Sequence, residues 1–404
     1  MPSALPSGEP APEDGSLPDS ALAELAEAPA SLYLHVPFCA TRCGYCDFNT
    51  YTAAELGSAP GASRQAFLDA AHAELALAAR VLGPRPIDTV FVGGGTPTLL
   101  HAGELVGLLD AARAHFPLSD GAEVTTECNP ESVEARYLEA LAAGGFNRIS
   151  FGMQSARGHV LRVLERTHTP GRVADVVRWA RAAGFGSISL DLIYGTPGES
   201  LDDWRTSLEA ALAQQPDHVS AYALIVEEGT RLAAQIRRGE VPAPVDDLQA
   251  DCYELADALL SAAGMGWYEL SNWSRSGHEC RHNLAYWRGG TWWGVGPGAH
   301  SHAGGVRWWN VKHPRRYSAA LQAGRSPAAA REVLDADARR VERVLLESRL
   351  ADGLETDVLT ASERARLPGL VVRGLVEIGE NDNRLRLTLR GRLLADAVVR
   401  DLLD

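Results

Sequence analysis

Six short runs of β-branched and apolar residues alternate with longer amphipathic segments from residue 31 onwards. The runs are Leu32 to Val36, Thr89 to Val92, Glu123 to Glu127, Arg148 to Phe151, Ile188 to Ile193 and Val219 to Leu224. The amphipathic segments include Arg64 to Leu82, Glu104 to His115, Glu134 to Ala143, Arg172 to Ala183 and Leu201 to Leu212. Strands that alternate with such helices predict parallel β/α units. Six such units predict an α/β fold, a partial (β/α)6 barrel whose sheet stays open.

The two ends of the chain depart from this pattern. Residues 1–30 carry six carboxylates and no basic residue, so they lack the basic and apolar regions of a signal peptide. Together with several Pro, Ala and Ser residues, this composition predicts a disordered acidic tail. Residues 327–404 predict helices and a terminal hairpin, in which Arg384 to Leu389 alternates with period two. The predicted divisions are therefore 1–30, a barrel with its extension over 31–310, and a small domain over 327–404.

Composition and charge exclude several classes of protein. Six cysteines in 404 residues are too sparse for a disulfide framework, and no run of about 18 apolar residues predicts a transmembrane helix. The net charge of −14 argues against nucleic-acid binding, because that needs a basic surface. Residues 331–404 hold 13 arginines against 15 carboxylates, so the same argument applies to the small domain. We expect a cytoplasmic protein.

Three cysteines follow the first apolar run, spaced Cys39-x-x-x-Cys43-x-x-Cys46. A [4Fe–4S] cluster is normally held by four thiolates. Three thiolates from one loop leave one iron open, and the amino and carboxylate groups of S-adenosylmethionine (SAM) can occupy it. The alternatives are reduced structural thiols or a zinc site with His35 as the fourth ligand. Zinc sites usually pair two ligands with two others elsewhere in the chain, and no second Cys/His pair has that spacing, so the cluster is favoured.

The segment from Tyr33 to Phe48, which contains the three cysteines, resembles the radical SAM superfamily. More narrowly, it is similar to the oxygen-independent coproporphyrinogen III oxidase-like branch. The resemblance covers about residues 31–302 and continues weakly to the C-terminus. It implies a partial barrel, a winged-helix-like C-terminal domain, a [4Fe–4S] cluster and bound SAM.

Several polar residues and glycines follow the predicted strands, where ligands bind in parallel α/β folds. By resemblance, the segment of Gly94, Gly95 and Thr96 meets the SAM amino group. The resemblance also implies that Arg166 pairs with the SAM carboxylate in a fork-like contact, that Gln154 and Asp191 hold the ribose hydroxyls, that Glu127 contacts the methionyl or ribose portion, and that Tyr33 touches the cofactor. Each residue read singly is an ordinary strand-end group, and their spacing as a set favours the site.

The resemblance leaves two activities open. Porphyrinogen-oxidising members carry a further cysteine two positions after the third ligand, where this chain has Phe48. They also carry a longer structured N-terminal region. Both differences are similar to the heme chaperones of the same family, which implies binding of heme and its delivery to apo-hemoproteins such as respiratory enzymes. Peripheral association with the membrane and a homodimer are compatible with that activity. The alternative is SAM-dependent oxidative decarboxylation of coproporphyrinogen III to protoporphyrinogen IX.

An aromatic-rich region follows the barrel. Seven of the nine tryptophans lie between Trp267 and Trp309, either as a local core or as flat walls for a porphyrin. The motif His-Asn-x-x-Tyr-Trp, which begins at His282, resembles a segment proposed as heme-associated in the chaperones. Imidazole is a common axial ligand of heme iron, so the resemblance implies that His282 is a heme ligand. The alternative is a hydrogen-bonded structural histidine.

Overall fold

The computed structural model of the chain describes residues 5–25, 29–57, 61–166, 169 and 171–403. The β-strands are β1 (Ala30–Val36), β2 (Ile87–Gly94), β3 (Leu118–Cys128), β4 (Arg148–Gln154), β5 (Ser187–Tyr194), β6 (His218–Ala223), β7 (Gly266–Glu269), β8 (Asn272–Ser274), β9 (Thr291–Val295), β10 (His300–Ala303), β11 (Val306–Asn310), β12 (Ala328–Val333), β13 (Leu354–Glu355), β14 (Val376–Ile378) and β15 (Arg384–Leu387). The α-helices are α1 (Asp19–Glu24), α2 (Ala53–Leu56), α3 (Arg64–Leu82), α4 (Ala102–His115), α5 (Ala135–Ala143), α6 (Gly158–Val163), α7 (Arg172–Ala183), α8 (Leu201–Leu212), α9 (Arg231–Arg237), α10 (Asp246–Ala262), α11 (Arg281–Trp287), α12 (Pro314–Gln322), α13 (Ala336–Glu347), α14 (Ala361–Arg364), α15 (Leu367–Val372), α16 (Leu389–Leu393) and α17 (Ala395–Leu403).

The six predicted strands lie side by side in the order β1 to β6, all parallel. On the face covered by helices, side chains such as Leu32, Leu34 and Val90 are buried in the main core. The other face carries the polar and aromatic side chains that alternate with them, such as Tyr33 and His35. The parallel order of the strands and the core beneath the helices confirm the predicted α/β barrel.

Local signals set the ends of the predicted helices. The Ser63 hydroxyl accepts the Ala66 N–H at the start of α3, and Gly83 follows its end with a φ of 71°. At the start of α8, Ser200 and Asp203 form a reciprocal capping box. These caps satisfy backbone groups that have no partner within the helix, so the bounds predicted from periodicity agree with the structure at both helices.

The sheet continues beyond the six predicted strands to twelve. β9 pairs with β1 in parallel, and β10, β11 and β12 then add as antiparallel strands. The predicted division placed β12 in the small C-terminal domain, whereas β12 pairs with β11 and belongs to the large sheet. β12 joins the large sheet because its backbone groups pair with the open edge of β11. The periodicity of β12 itself does not reveal this pairing.

The N-terminal segment is folded where the structure describes it, so the expectation of a disordered tail is wrong for residues 5–25. Glu9 exchanges two backbone hydrogen bonds of 2.9 Å with Arg331 of β12. Its carboxylate also accepts from the Arg331 guanidinium at 2.7 Å. Leu17, Ala21 and Leu25 are buried. Acidic segments are disordered when no opposite charge pairs with their carboxylates. Here arginines distant in the sequence form ion pairs with these carboxylates.

The C-terminal domain has its own core, in which Val344, Leu354, Leu385 and Val398 are buried. Its elements follow the order helix, strand, two helices, two strands and two further helices, and the strands form the sheet β13-β15-β14. This is the arrangement of a winged helix, as predicted. Arg392 fastens the domain to the barrel through two hydrogen bonds to the Asp257 carboxylate, at 2.8 and 2.9 Å. Among the described residues, no helix has the length and apolar character needed to cross a bilayer.

Candidate cofactor site

The three cysteines lie on the loop that leaves β1 at its carboxyl end. All three are free thiols with partly exposed side chains. The base of the loop is closed by hydrogen bonds from the Cys39 N–H to the Tyr51 carbonyl, 3.0 Å, and from the Tyr51 N–H to the Pro37 carbonyl, 2.7 Å. A turn from Cys46 N–H to the Cys43 carbonyl, 3.2 Å, brings the other two thiols near each other.

Burial raises the pKa of the Cys39 thiol, and it raises the pKa of the Cys46 thiol to about 11. The neighbouring thiols add to both shifts. Thiols with raised pKa values are poor nucleophiles, but a cationic iron centre binds thiolates and displaces their protons. Three unpaired thiols grouped on one loop therefore fit a [4Fe–4S] cluster.

The support beneath this loop uses His35 and Asn49. His35 accepts the Tyr33 hydroxyl at Nδ1, 2.9 Å, and donates from Nε2 to the Asn49 carbonyl, 2.9 Å. Both ring nitrogens are therefore engaged, and the zinc alternative loses the fourth ligand that the sequence offered. Asn49 also donates to the carbonyls of Pro297 and Lys312, both at 2.8 Å. No local pattern pointed to Asn49, because its partners lie about 250 positions away.

The glycine segment at the end of β2 packs directly on the cysteine loop. The N–H of Thr96 donates to the Phe38 carbonyl at 2.8 Å. A Cβ atom at Gly95 would lie 2.5 Å from that carbonyl oxygen and 3.0 Å from the Cys39 sulfur. Gly94 has a φ of 112° and donates its N–H to a Glu127 oxygen at 3.0 Å. Glycine is therefore required here for close approach of two backbones.

Arg166 joins the cysteine loop to the end of β4. Its guanidinium donates to the Gly152 carbonyl at 3.0 Å and lies 3.7 Å from the Cys43 sulfur. A Cβ atom at Gly152 would lie 2.9 Å from the Gln154 amide and 3.1 Å from Arg166. The sequence reasoning missed Gly152, although glycine inside a strand signals close approach. Gln154 has a φ of 64°, a strained conformation of the kind that concentrates at functional sites.

Glu127 and Asp191 bring two carboxylates to the same face of the sheet. The Ser150 hydroxyl donates to Asp191 at 2.8 Å. Burial, and then the charge of Asp191, raise the pKa of Glu127 to about 8. Burial also raises the pKa of Asp191. Carboxylates held in this way favour a ligand that brings a cation or hydroxyl donors, as SAM does.

His282 lies nearer the amino ends of the strands, where its ring centroid is 6.4 Å from that of Tyr33 and 5.2 Å from that of Phe91. Its Nδ1 is 2.7 Å from the Thr89 hydroxyl and its Nε2 is 2.8 Å from the Tyr286 hydroxyl. Thr89 is five residues before Gly94 on β2, roughly 16 Å along the strand. Burial lowers the pKa of His282 to about 3. The role of His282 as a heme ligand stays a prediction, and this geometry favours the structural alternative.

The comparisons with known proteins identify the family of the chain. A family model described as the radical SAM superfamily matches residues 33–211. The heme chaperone HemW of Mycobacterium tuberculosis is 55% identical over 382 residues, which cover 95% of this chain and 97% of that protein. This chain belongs to the HemW family of radical SAM proteins. Another HemW family member, the heme chaperone HemW of Bacillus subtilis, is 33% identical over 91% of this chain and 97% of its own.

A solved structure with the same fold is the coproporphyrinogen III oxidase HemN of Escherichia coli, described as a radical SAM enzyme. Its TM-score is 0.80 at 24% identity, over 96% of this chain and 94% of that chain. This likeness covers both the large sheet and the C-terminal domain, so the two proteins share the fold of both parts. Membership of the radical SAM superfamily also implies a [4Fe–4S] cluster and SAM, which the thiols and carboxylates described above fit.

Proposed function

We propose that this chain is a heme chaperone, which binds heme and delivers it to apo-hemoproteins. The observation that carries the proposal is the similarity to the M. tuberculosis heme chaperone over nearly the full length of both chains. A match to one domain alone would say little about the function of the whole protein. Here the matched region includes the cysteine loop, the barrel and the C-terminal domain.

We propose that Cys39, Cys43 and Cys46 hold a [4Fe–4S] cluster, which supplies an open iron and one-electron redox chemistry when bound. Arg166 is placed between the Cys43 sulfur and the end of β4, where its free N–H groups suit the SAM carboxylate. Glu127 is held against Gly94, beside the glycine segment that is assigned to the SAM amino group.

The proposed remaining contacts come from the other strands. Gln154 and Asp191 supply an amide and a carboxylate that suit ribose hydroxyls. Tyr33 lies beside Phe91, with ring centroids 6.3 Å apart and an interplanar angle of 27°. This stacked pair provides an apolar wall on the side of Glu127, whose charge acts on Tyr33.

Phe48 bears on the second candidate function, oxidation of coproporphyrinogen III. This residue occupies the position of the further cysteine of the oxidases, and 56% of its surface is exposed on the cysteine loop. A phenyl ring neither donates a proton nor ligates iron, so it cannot replace that thiol. The chaperone function is therefore favoured over the oxidase function.

The test uses the full-length chain with its cluster reconstituted under anaerobic conditions. We expect it to bind ferric heme in a defined stoichiometry and to transfer heme to an apo-cytochrome, measured by the appearance of the cytochrome spectrum. A heme-loaded albumin serves as the control for passive release. The same protein with SAM, dithionite and coproporphyrinogen III should give no protoporphyrinogen. Catalytic formation of protoporphyrinogen would overturn the chaperone function, as would transfer no faster than from albumin.

A further inference from the structure

The end of helix α6 leads directly into Arg166. The N–H of Glu165 donates to the Arg162 carbonyl at 3.2 Å, and the N–H of Arg166 donates to the Leu161 carbonyl at 2.8 Å. These two hydrogen bonds form a Schellman motif, in which the residue before Arg166 takes a left-handed backbone conformation. The motif fixes the direction in which the chain leaves α6. It therefore also fixes the point from which the Arg166 side chain reaches the cysteine loop.

Glu165 is an unfavourable residue for this position. Its φ is 53°, and in this region the Cβ atom of an L-residue is crowded by the following carbonyl. Glycine is the usual residue at this point of a Schellman motif, because it has no Cβ. Backbone strain of this kind persists where the surrounding contacts hold it in place. The contacts of the Glu165 side chain are therefore informative.

The Glu165 carboxylate packs against the cysteine loop. Gly44 lies between Cys43 and Cys46, and a Cβ atom at Gly44 would lie 3.1 Å from the Glu165 carboxyl carbon and 3.2 Å from one of its oxygens. The absence of a side chain at Gly44 thus leaves the space that the carboxylate occupies. The Arg166 guanidinium lies 3.7 Å from the Cys43 sulfur. Two consecutive residues after α6 therefore contact two consecutive residues of the loop.

The start of α9 holds the other side of this contact. Nη1 of Arg231 lies 3.0 Å from both oxygens of Glu165. The next N–H along the chain, that of Leu232, donates to the Gly44 carbonyl at 2.9 Å. Leu232 is buried in an apolar cluster against which Tyr45 of the cysteine loop also packs. Three segments distant in the sequence, namely the end of α6, the cysteine loop and the start of α9, therefore meet at Gly44.

We propose that Glu165 is a positioning residue for SAM binding: its carboxylate, oriented by Arg231 and packed on Gly44, holds Arg166 in place relative to the cysteine loop. The inference rests on the proposed assignment of Arg166 to the SAM carboxylate. The ion pair itself adds little to stability, because 68% of the Arg231 side chain is exposed. We therefore expect the contact to affect SAM affinity more than folding.

The first test is Glu165→Gly, because glycine relieves the strained backbone and removes the carboxylate. SAM binding to full-length, cluster-loaded protein is measured by calorimetry, and urea unfolding is measured on cluster-free protein. The affinity should fall by about threefold to tenfold, less than in Arg166→Ala, since the guanidinium remains but is held less firmly. The urea midpoint should not fall. Gln215→Gly is the matched control, because Gln215 is exposed, has a φ of 52° and follows α8; it should leave SAM affinity unchanged.

A second arm tests the contact itself, with all variants compared at equal iron and sulfide content. Gly44→Ala should weaken SAM binding by about threefold, because its methyl group displaces the Glu165 carboxylate. In the Glu165→Gly background the same substitution should have little further effect, since the two residues are coupled. Arg231→Gln should weaken binding and Arg231→Lys should recover part of it. Arg178→Gln, which removes an exposed ion pair to Asp175 on α7, should not change it.

The outcomes separate the positioning role from the SAM site. If Arg166→Ala weakens SAM binding while Glu165→Gly keeps wild-type affinity, the positioning role is refuted and the SAM site stands. Independent, additive effects of Gly44→Ala and Glu165→Gly would also refute it, because the contact predicts coupling. If Arg166→Ala binds SAM as the wild type does, the assignment of Arg166 fails and this inference fails with it. Heme transfer by the wild-type protein tests the chaperone function separately.

Discussion

Glu127 gives the most quantitative prediction about SAM. Its carboxyl group has a pKa of about 8, raised by burial and by the Asp191 charge from the usual 4.5. If the carboxylate contacts the cationic cofactor, binding must remove the proton that Glu127 holds at lower pH. SAM affinity should therefore rise with pH and level off above about 8, while Glu127→Gln should lack this contribution.

The size of the effect follows from proton linkage. At pH 6, about two units below the pKa, roughly one molecule in a hundred has an ionised Glu127. The apparent affinity then falls by about a hundredfold from its plateau, or about 2.7 kcal/mol, because only this fraction is competent to bind. Asp191→Asn removes a neighbouring negative charge, so it should lower the pKa of Glu127 and move the profile to lower pH.

Calorimetry on cluster-loaded protein between pH 6 and 9 would measure these profiles. The SAM amino group itself titrates near this range, so the informative quantity is the difference between wild type and Glu127→Gln at each pH. Glu139→Gln, an exposed substitution on α5, should follow the wild-type profile. Parallel profiles for wild type and Glu127→Gln would refute the assignment of Glu127 to the SAM site.

Three further predictions concern the cluster, the SAM carboxylate and the barrel's stability. Replacing any one of the three loop thiols with alanine should abolish the iron and sulfide content of reconstituted protein, whereas Cys128→Ala should retain it; full iron in a loop variant would contradict the ligand assignment. Arg166→Ala should weaken SAM binding by about 1.5–3 kcal/mol, with Arg166→Lys recovering only part because it lacks the planar fork; calorimetry showing equal affinities would exclude the contact. Buried Glu74, which accepts from Gly296, Asn310 and Tyr317, has a pKa raised to about 7 by burial. Because the folded state keeps this proton while the unfolded state loses it above about 4.5, the free energy of unfolding should fall as pH rises from 4.5 to 7. Urea unfolding of Glu74→Gln should show a smaller slope over that interval, and an unchanged slope would exclude the shift.

Much of the barrel followed from local sequence pattern. Helices α3, α7 and α8 have the predicted bounds, because amphipathic periodicity and terminal caps act within a few residues of the positions they define. The grouping of the three thiols was also predictable, because all three cysteines lie on one loop. The parallel order of β1 to β6 was predictable because each strand is joined to the next by at least one helix.

The sequence by itself determined the α/β units, the three-thiol loop and the set of polar groups after the strands. Only the tertiary structure decided the pairing of β12, the folding of residues 5–25 and the partners of His282. A histidine's chemistry depends on which partners meet its two nitrogens, and those of His282 include Thr89, 193 positions earlier. The contact with Thr89 is set by how strands and helices pack, so no pattern near His282 encodes it, whereas the other partner, Tyr286, lies only four residues later.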